Sequence, residues 1–128
     1  MILDSSALVA IMFREEGHER LLAKVGAAAE VAIGAPTLVE AIIVASARLG
    51  RDAREMASGL MLEGGIAVLP LTETHVAVAV EAWRRYGKGR HRASLNFGDC
   101  MAYAVARCSG RPLLCCGEDF NRTDLALA

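Results

Sequence analysis

The sequence alternates short apolar segments with longer segments of helical periodicity, and this alternation restricts the folds open to the chain. The apolar segments are residues 1–3, 31–34, 66–69 and 113–116. The helical segments predicted between them are residues 7–13, 15–29, 36–49, 51–63, 72–86 and 97–108. Strands that alternate with helices form a parallel sheet covered by helices on both faces. The pattern therefore predicts an α/β fold of three layers, α/β/α, around a parallel sheet of about four to five strands.

Length and composition are those of one domain. The chain has 128 residues, enough for a sizeable core, and 54% of them are hydrophobic, which excludes a disordered chain. No apolar run approaches the ~20 residues that cross a bilayer, and no basic leader opens the sequence. The four cysteines do not have zinc-binding spacing, so we expect buried, reduced thiols. We therefore expect a cytoplasmic protein without membrane contact.

Acidic residues lie where strands end or helices begin. Asp4 follows the first strand, Asp119 follows the fourth, and Asp99 lies three residues after Asn96 at the start of a helix. One interpretation is structural, because Asp4 can cap a helix and Asn96 with Asp99 can form a capping box. The other is functional, because ligands of parallel sheets collect beyond the carboxyl ends of the strands.

Glu40 is the single charged residue between Pro36 and Arg48. Its helix is apolar on nearly all sides, so we expect the helix to be mostly buried. A buried carboxylate is costly unless it is paired, hydrogen-bonded or bound to metal. Glu40 therefore either pairs with an arginine, for example Arg48, or lines a polar cavity.

These carboxylates would repel one another if the sheet gathered them at one edge. Two charges ~4 Å apart cost about 4 kcal/mol at an effective dielectric constant of 20. Oxygen ligands favour a hard divalent ion, Mg²⁺ or Mn²⁺, which can activate water and stabilise charge on a phosphoryl group. An acidic centre of this kind together with a basic rim points to a metal-dependent nuclease.

A basic segment precedes Asp99. Lys88, Arg90 and Arg92 lie close together with His91, and no Asp or Glu occurs from residue 82 to residue 98. The net charge of −1 therefore hides a local positive patch. The segment is either a solvated loop or an arm that contacts phosphates, since arginine matches phosphate oxygens well.

The order of several motifs closely resembles that of PIN-domain ribonucleases and, more narrowly, of VapC toxins from VapBC toxin–antitoxin pairs. The matching features are the segment 2–7, Glu40 within its helix, the segment 86–91, the segment 95–100 and the segment 117–120. The resemblance covers nearly the whole chain, and the segments 86–91 and 95–100 are its most specific part. It implies a single PIN domain over residues 1–128 that cleaves RNA, often tRNA or rRNA, with Mg²⁺ or Mn²⁺. It also implies a homodimer and a cognate VapB-type antitoxin.

The resemblance also assigns roles to residues. Asp4, Glu40 and Asp99 match the three central catalytic positions, and Asp119 is a candidate for the fourth. Asp4 and Asp99 are expected to contact the metal directly. Many relatives have an acid at the position of Gly117, so either Glu118 or Asp119 is the fourth acidic residue, and the number of metal ions is one or two. Ser6 matches a supporting hydroxyl, and we expect Lys88, Arg90 and Arg92 to position the RNA strand.

Two alternatives remain open at this point. The chain is either an active nuclease or a catalytically silent RNA-binding PIN module. As a nuclease it would act on RNA or, alternatively, on DNA or a small phosphoester, because nothing in the sequence reads the 2′-hydroxyl.

Overall fold

A four-stranded parallel sheet forms the centre of the computed structural model, which describes all residues, 1–128. The strands are β1 (Ile2–Leu3), β2 (Val31–Gly34), β3 (Ile66–Leu69) and β4 (Leu113–Leu114). Their order in the sheet is β3-β2-β1-β4, and every neighbouring pair is parallel. This confirms the predicted α/β class. The fourth strand is shorter than predicted and ends at Leu114.

Six α-helices and one 3₁₀ turn surround the sheet. The helices are α1 (Ser5–Met12), α2 (His18–Ala27), α3 (Ala35–Leu49), α4 (Arg54–Glu63), α5 (Glu73–Tyr86) and α6 (Phe97–Ser109), and the turn is Phe120–Arg122. Helix α2 begins three residues later than predicted, because Gly17 adopts a left-handed conformation with φ 84° just before it. At the start of α5, His75 completes a capping box with Thr72.

The sheet separates two apolar cores. Helices α5 and α6 cover one face, where Ile2 and Leu113 join residues of α6 such as Val105. Helices α1 to α4 contribute to the core on the other face, where Leu3 and Ile33 lie. Adjacent residues of one strand thus point into different layers, as the pleat requires.

Helix α3 is less buried than its sequence predicts, and α5 divides its buried and exposed residues in a similar way. In α3 the buried residues are Thr37, Ala41 and Ala45, while Val39 and Ile43 are exposed. In α5 the same division holds: Ala79, Ala82 and Tyr86 are buried, whereas Val76, Val80 and Trp83 are exposed. The expectation of a mostly buried α3 is therefore wrong. Small residues let these helices approach their neighbours closely, and the larger apolar side chains are left on the outer face.

The C-terminal residues are tied to the sheet and to two helices. Leu127 forms a parallel bridge with Leu113. The Asp124 carboxylate accepts a hydrogen bond from the Tyr103 hydroxyl at 2.6 Å and ion-pairs with Arg85 and Arg107. These contacts hold the segment after β4 against α5 and α6.

All four cysteines are free, as predicted, although they are not all buried. Cys100 is buried, whereas Cys108 and Cys116 are exposed. No helix in the structure is both long enough and apolar enough to cross a bilayer.

Candidate active site

The strand order places three sequence-distant segments side by side at the carboxyl edge of the sheet. Strand β1, which is followed directly by Asp4, lies between β2 and β4. Helix α3 with Glu40 follows β2, and the loop with Asp119 follows β4. The first turn of α6 adds Asp99 to this edge, because the adjacent Gly98 packs against the Glu40 carboxylate of α3.

Asp4 is almost buried, with 4% of its surface exposed. Its Oδ2 accepts hydrogen bonds from the Ser6 backbone N–H at 3.1 Å and from the Ser6 hydroxyl at 2.5 Å. Its Oδ1 has no hydrogen-bond partner. Thr37 Oγ1 is the one fully buried side-chain nitrogen or oxygen atom without a hydrogen-bond partner. Asp4 Oδ1, which also lacks a partner, is therefore not fully buried. Asp4 therefore caps α1 with one oxygen and presents the other to solvent.

Ser6 links Asp4 to the neighbouring strand of the sheet. Its hydroxyl oxygen donates to Asp4 and accepts a hydrogen bond from the Cys116 backbone N–H at 3.0 Å. Cys116 follows β4 and precedes the loop that contains Asp119. The Ser6 side chain thus joins the ends of β1 and β4 at the edge where the acids lie.

Asp99 forms the predicted capping box at the start of α6. Its Oδ2 accepts a hydrogen bond from the Asn96 N–H at 2.7 Å, and its own N–H donates to Asn96 Oδ1 at 2.9 Å. Its Oδ1 has no partner. The structural interpretation of Asp99 is therefore correct for one oxygen, and it leaves the other oxygen available.

The electrostatic environment of Asp99 shows which other acids are near. Partial burial raises the pKa of the Asp99 carboxyl to about 6, and the Asn96 N–H bond opposes this rise. Three further carboxylates add to the rise through their negative charges: Asp4, Asp119 and Glu40. The structure therefore brings Asp4, Asp119 and Glu40 into electrostatic range of Asp99.

Glu40 is half-buried and has no cationic partner. None of the ion pairs of the chain includes it. Arg48, the partner suggested by the sequence, instead pairs with Glu15 and lies 4.1 Å from the centre of the Phe13 ring. The carboxylate of Glu40 packs against Gly98, which belongs to the segment 95–100 but to which the sequence assigned no role.

The fourth acidic position lies in the loop after β4. Both Glu118 and Asp119 are exposed, but the charge of Asp119 acts on Asp99 and that of Glu118 does not. Asp119 directly precedes the 3₁₀ turn. The electrostatic environment of Asp99 therefore favours Asp119 over Glu118 as a member of this group.

The donors at this edge suit a hard cation, although the side chains do not form a ready-made site. No three acidic, histidine or cysteine side chains are arranged to hold a metal ion. The unpartnered oxygens of Asp4 and Asp99 are nevertheless hard oxygen donors of the kind that Mg²⁺ and Mn²⁺ prefer. The neighbouring thiol is a poor alternative, because burial and then the charge of Asp4 raise the pKa of Cys115 to about 12. The donor set therefore fits a divalent ion bound mainly through carboxylates and water.

The basic segment is held beside the start of α6. Gly87 forms a parallel bridge with Leu95, and the Lys88 N–H donates to the Leu95 carbonyl at 3.0 Å. The Arg90 guanidinium lies 3.9 Å from the centre of the Trp83 ring, a contact that the sequence did not indicate. The side chains of Lys88, Arg90 and Arg92 are exposed, and none pairs with a carboxylate. Their charges are therefore available to an anionic ligand.

Comparison with known proteins identifies the family. The PIN domain family model matches residues 1–125. VapC ribonuclease Mb2004c of Mycobacterium bovis and Ribonuclease VapC36 of Mycobacterium tuberculosis are each 48% identical over 126 residues, which is 98% of this chain and 91% of theirs. Ribonuclease VapC of Mycolicibacterium smegmatis is 39% identical, over 98% of both chains.

A solved structure shows the same fold. VapC20 of Mycobacterium tuberculosis, described as a Sarcin-Ricin loop cleaving toxin, superposes with a TM-score of 0.79. The alignment covers 99% of this chain and 97% of that one at 19% sequence identity. Taken together with the matches in sequence, these similarities establish that the chain belongs to the PIN-domain family and, within it, to the VapC ribonucleases.

Proposed function

We propose that this protein is a Mg²⁺- or Mn²⁺-dependent endoribonuclease and the toxin of a VapBC-type toxin–antitoxin module. The observation that carries the proposal is the pair of unpartnered oxygens, Asp4 Oδ1 and Asp99 Oδ1, within a group of four acids that has no cationic side chain. Carboxylates without a cationic partner favour a bound metal cation. Membership of the VapC ribonucleases indicates that the reaction is the cleavage of RNA. The substrate class is RNA, with tRNA or rRNA as the expected targets.

Asp4 and Asp99 are the residues that would hold the metal ion directly. A divalent ion bound there would lower the pKa of a water molecule and neutralise charge on the scissile phosphate. Asp119 is the fourth acid, on the loop after β4. Ser6 keeps Asp4 in place, because its hydroxyl is bonded on both sides.

Glu40 is the residue that would orient the attacking water and take its proton. In the proposed hydrolysis the water oxygen bonds to phosphorus and its proton passes to a carboxylate. The bond between phosphorus and the leaving sugar oxygen breaks, and that oxygen takes a proton from solvent. The absence of an arginine partner leaves Glu40 free for this role.

Lys88, Arg90 and Arg92 would hold the RNA strand through its phosphates. Because Lys88 is bonded through its backbone to Leu95, it lies next to the Asn96 cap of α6 and hence near Asp99. Arg90 stacks on Trp83, which reduces the freedom of its side chain before RNA binds. The charges thus lie on the approach to the acids rather than among them.

We also propose a homodimer, a VapB-type antitoxin as partner, and a cytoplasmic location. Support for protein partners comes from exposed apolar surface of the kind that marks interaction sites. One such surface is a groove of about 800 Å³ between α5 and α6, which includes Val76, Val80 and Phe97. The test is to measure the mass of the purified protein in solution, alone and after coexpression with the product of the neighbouring reading frame.

The activity is tested by mapping cleaved RNA ends. The purified protein is incubated with total RNA and Mg²⁺, and the new ends are sequenced. We expect discrete cleavage that EDTA abolishes and that Asp4→Asn and Asp99→Asn reduce at least about a hundredfold, as loss of a positioned catalytic group does. Asp52→Asn, at an exposed site that pairs with Arg54, is the matched control and should cleave normally.

Two results would favour the alternatives. RNA binding without Mg²⁺-dependent cleavage would indicate a catalytically silent PIN module. Cleavage that a DNA competitor suppresses as well as an RNA competitor would indicate a nuclease that does not require the 2′-hydroxyl.

A further inference from the structure

Gly98 is a glycine for reasons of space rather than backbone conformation. Six glycines of the chain have positive φ angles, and Gly98 is not among them. It occupies the first turn of α6, where alanine would ordinarily be the better residue. A Cβ atom added to Gly98, however, would lie 2.5 Å from Glu40 Oε2 and 2.7 Å from Glu40 Cδ. Real Cβ atoms essentially never approach other atoms closer than 3.0 Å.

The contact is notable because Glu40 is otherwise unrestrained. Its carboxylate takes part in none of the ion pairs of the chain. What fixes its position is the close packing of α3 against the start of α6, where the backbone of Gly98 leaves room for it. The beginning of a helix is also a favourable place for a carboxylate, because the positive end of the helix dipole lies there.

From these contacts we infer that Gly98 is a positioning residue that holds the Glu40 carboxylate beside Asp99. The inference rests on the proposed function in one respect, namely that Glu40 takes part in catalysis. The steric part does not depend on it. The negative charge of Glu40 contributes to the environment of Asp99, so the two carboxylates are near one another when residue 98 is glycine.

A methyl group at residue 98 would displace Glu40 rather than unfold the protein. The clashing atoms are at the far end of a flexible side chain, which can swing into solvent. Gly98→Ala should therefore fold, with Glu40 moved from its place. Gly59 provides a matched control, since it is an exposed glycine in the middle of α4 with no atom within 4 Å of an added Cβ.

The first test is a thermal-melting cycle in EDTA, which does not depend on activity. Gly59→Ala should raise Tm by about 2–5 °C, as a helical Gly-to-Ala change without a clash does. Gly98→Ala should raise Tm less than this in the wild-type background, and by the full amount in a Glu40→Ala background. An equal rise in both backgrounds would overturn the inference. If Gly98→Ala alone fails to fold, folding of the double variant supports it, and failure of both overturns it.

The second test is the rate of RNA cleavage. We expect Gly98→Ala to lower it at least about tenfold in the wild-type background, because a displacement of about 1 Å can cost that much. In the Glu40→Ala background the same change should have little further effect on the rate, and Gly59→Ala should leave it unchanged. An unchanged rate in Gly98→Ala would overturn the inference. A wild-type protein that does not cleave RNA would instead overturn the proposed function, and the melting cycle would still decide whether Gly98 positions Glu40.

Discussion

The two carboxylate oxygens of Asp99 have different surroundings. One oxygen caps α6 through the Asn96 N–H, and the other lies unpartnered near three further acids. The sequence alone offers these as competing interpretations. The geometry shows that they are compatible, because a carboxylate has two oxygens and the cap uses one. The two contributions have opposite signs in the metal-free protein, so they can be separated by substitution.

Asp99→Asn should keep the cap and remove the charge. An asparagine oxygen can still accept from the Asn96 N–H, so we expect the variant to melt at or above the wild-type temperature in EDTA. On addition of Mg²⁺ the wild type should gain stability and the variant should gain less. The measurement is thermal unfolding with and without Mg²⁺. Asn96→Ala is the control for the cap and should cost about 1 kcal/mol. Strong destabilisation of Asp99→Asn without metal would contradict this prediction, because it would mean that the negative charge of Asp99 stabilises the metal-free protein.

The pH dependence of stability provides a separate prediction. The pKa of Asp99 is about 6 in the folded protein, against an ordinary value of 3.8. The folded state therefore binds the proton more tightly, and the contribution of Asp99 to stability is fully present below about pH 4 and lost as the pH rises through about 6. We expect the stability difference between Asp99→Asn and wild type, measured in EDTA, to increase from about pH 4 to about pH 7 and then level off. A difference that does not change with pH would contradict the raised pKa.

At the scale of elements, α5 packs through its small residues. Ala82 is 1% exposed and faces α6, whereas Val80 is 51% exposed on the outer side. Helices that meet through alanines approach closely, and this closeness makes the interface sensitive to added volume. The larger apolar side chains of α5, such as Val76 and Val80, are left about half exposed and line the apolar groove between α5 and α6.

Substitutions at Ala82 and Val80 should have different effects on the free energy of unfolding. Ala82→Leu should lower the free energy of unfolding by about 1–3 kcal/mol, since the interface has no room for a larger side chain. Val80→Ala should change it by no more than about 0.5 kcal/mol, because the valine is on the surface. Urea unfolding at low protein concentration, where association does not contribute, is the measurement. A larger loss for Val80→Ala than for Ala82→Leu would contradict the observed packing.

The positions of the strands and helices could largely be predicted from the sequence. Which residues of a helix are buried could not. Strands were located because apolar runs such as 31–34 are short and bounded, and α6 because Asn96 and Gly110 mark its ends. The expectation that α3 is mostly buried was wrong, because apolar periodicity does not distinguish the buried Ala41 from the exposed Val39. That distinction depends on how close a neighbouring helix lies. Gly98 was missed for the same reason, since its role depends on a side chain that belongs to another helix.

At the scale of the whole molecule, opposite charges are separated over a short distance. The net charge is −1, yet the acids lie at the carboxyl edge of the sheet and the basic segment lies beside α6. A polyanion that approached the acids alone would be repelled. The basic segment therefore sets both the affinity and the route of approach in the proposed reaction.

This arrangement predicts the salt dependence of RNA binding. Arg90→Ala combined with Arg92→Ala should weaken binding, and the slope of log K against log salt should become shallower by about 1.4, the value for two lost contacts to single-stranded RNA. Binding is measured with Ca²⁺ in place of Mg²⁺ over a series of salt concentrations. Arg20→Ala with Arg51→Ala, two exposed arginines elsewhere, is the matched control. An unchanged slope in the first variant would assign Arg90 and Arg92 to another surface role.

The link from Ser6 to Cys116 has a consequence for the synthesis of the protein. Because β1 and β4 are neighbours, an early segment finds its partner only when residues near 113–119 have left the ribosome. A nascent chain that already carries residues 4, 40 and 99 therefore lacks the strand and the loop that complete the acidic edge. We therefore expect translation products that lack residues 113–119 to be inert toward cellular RNA.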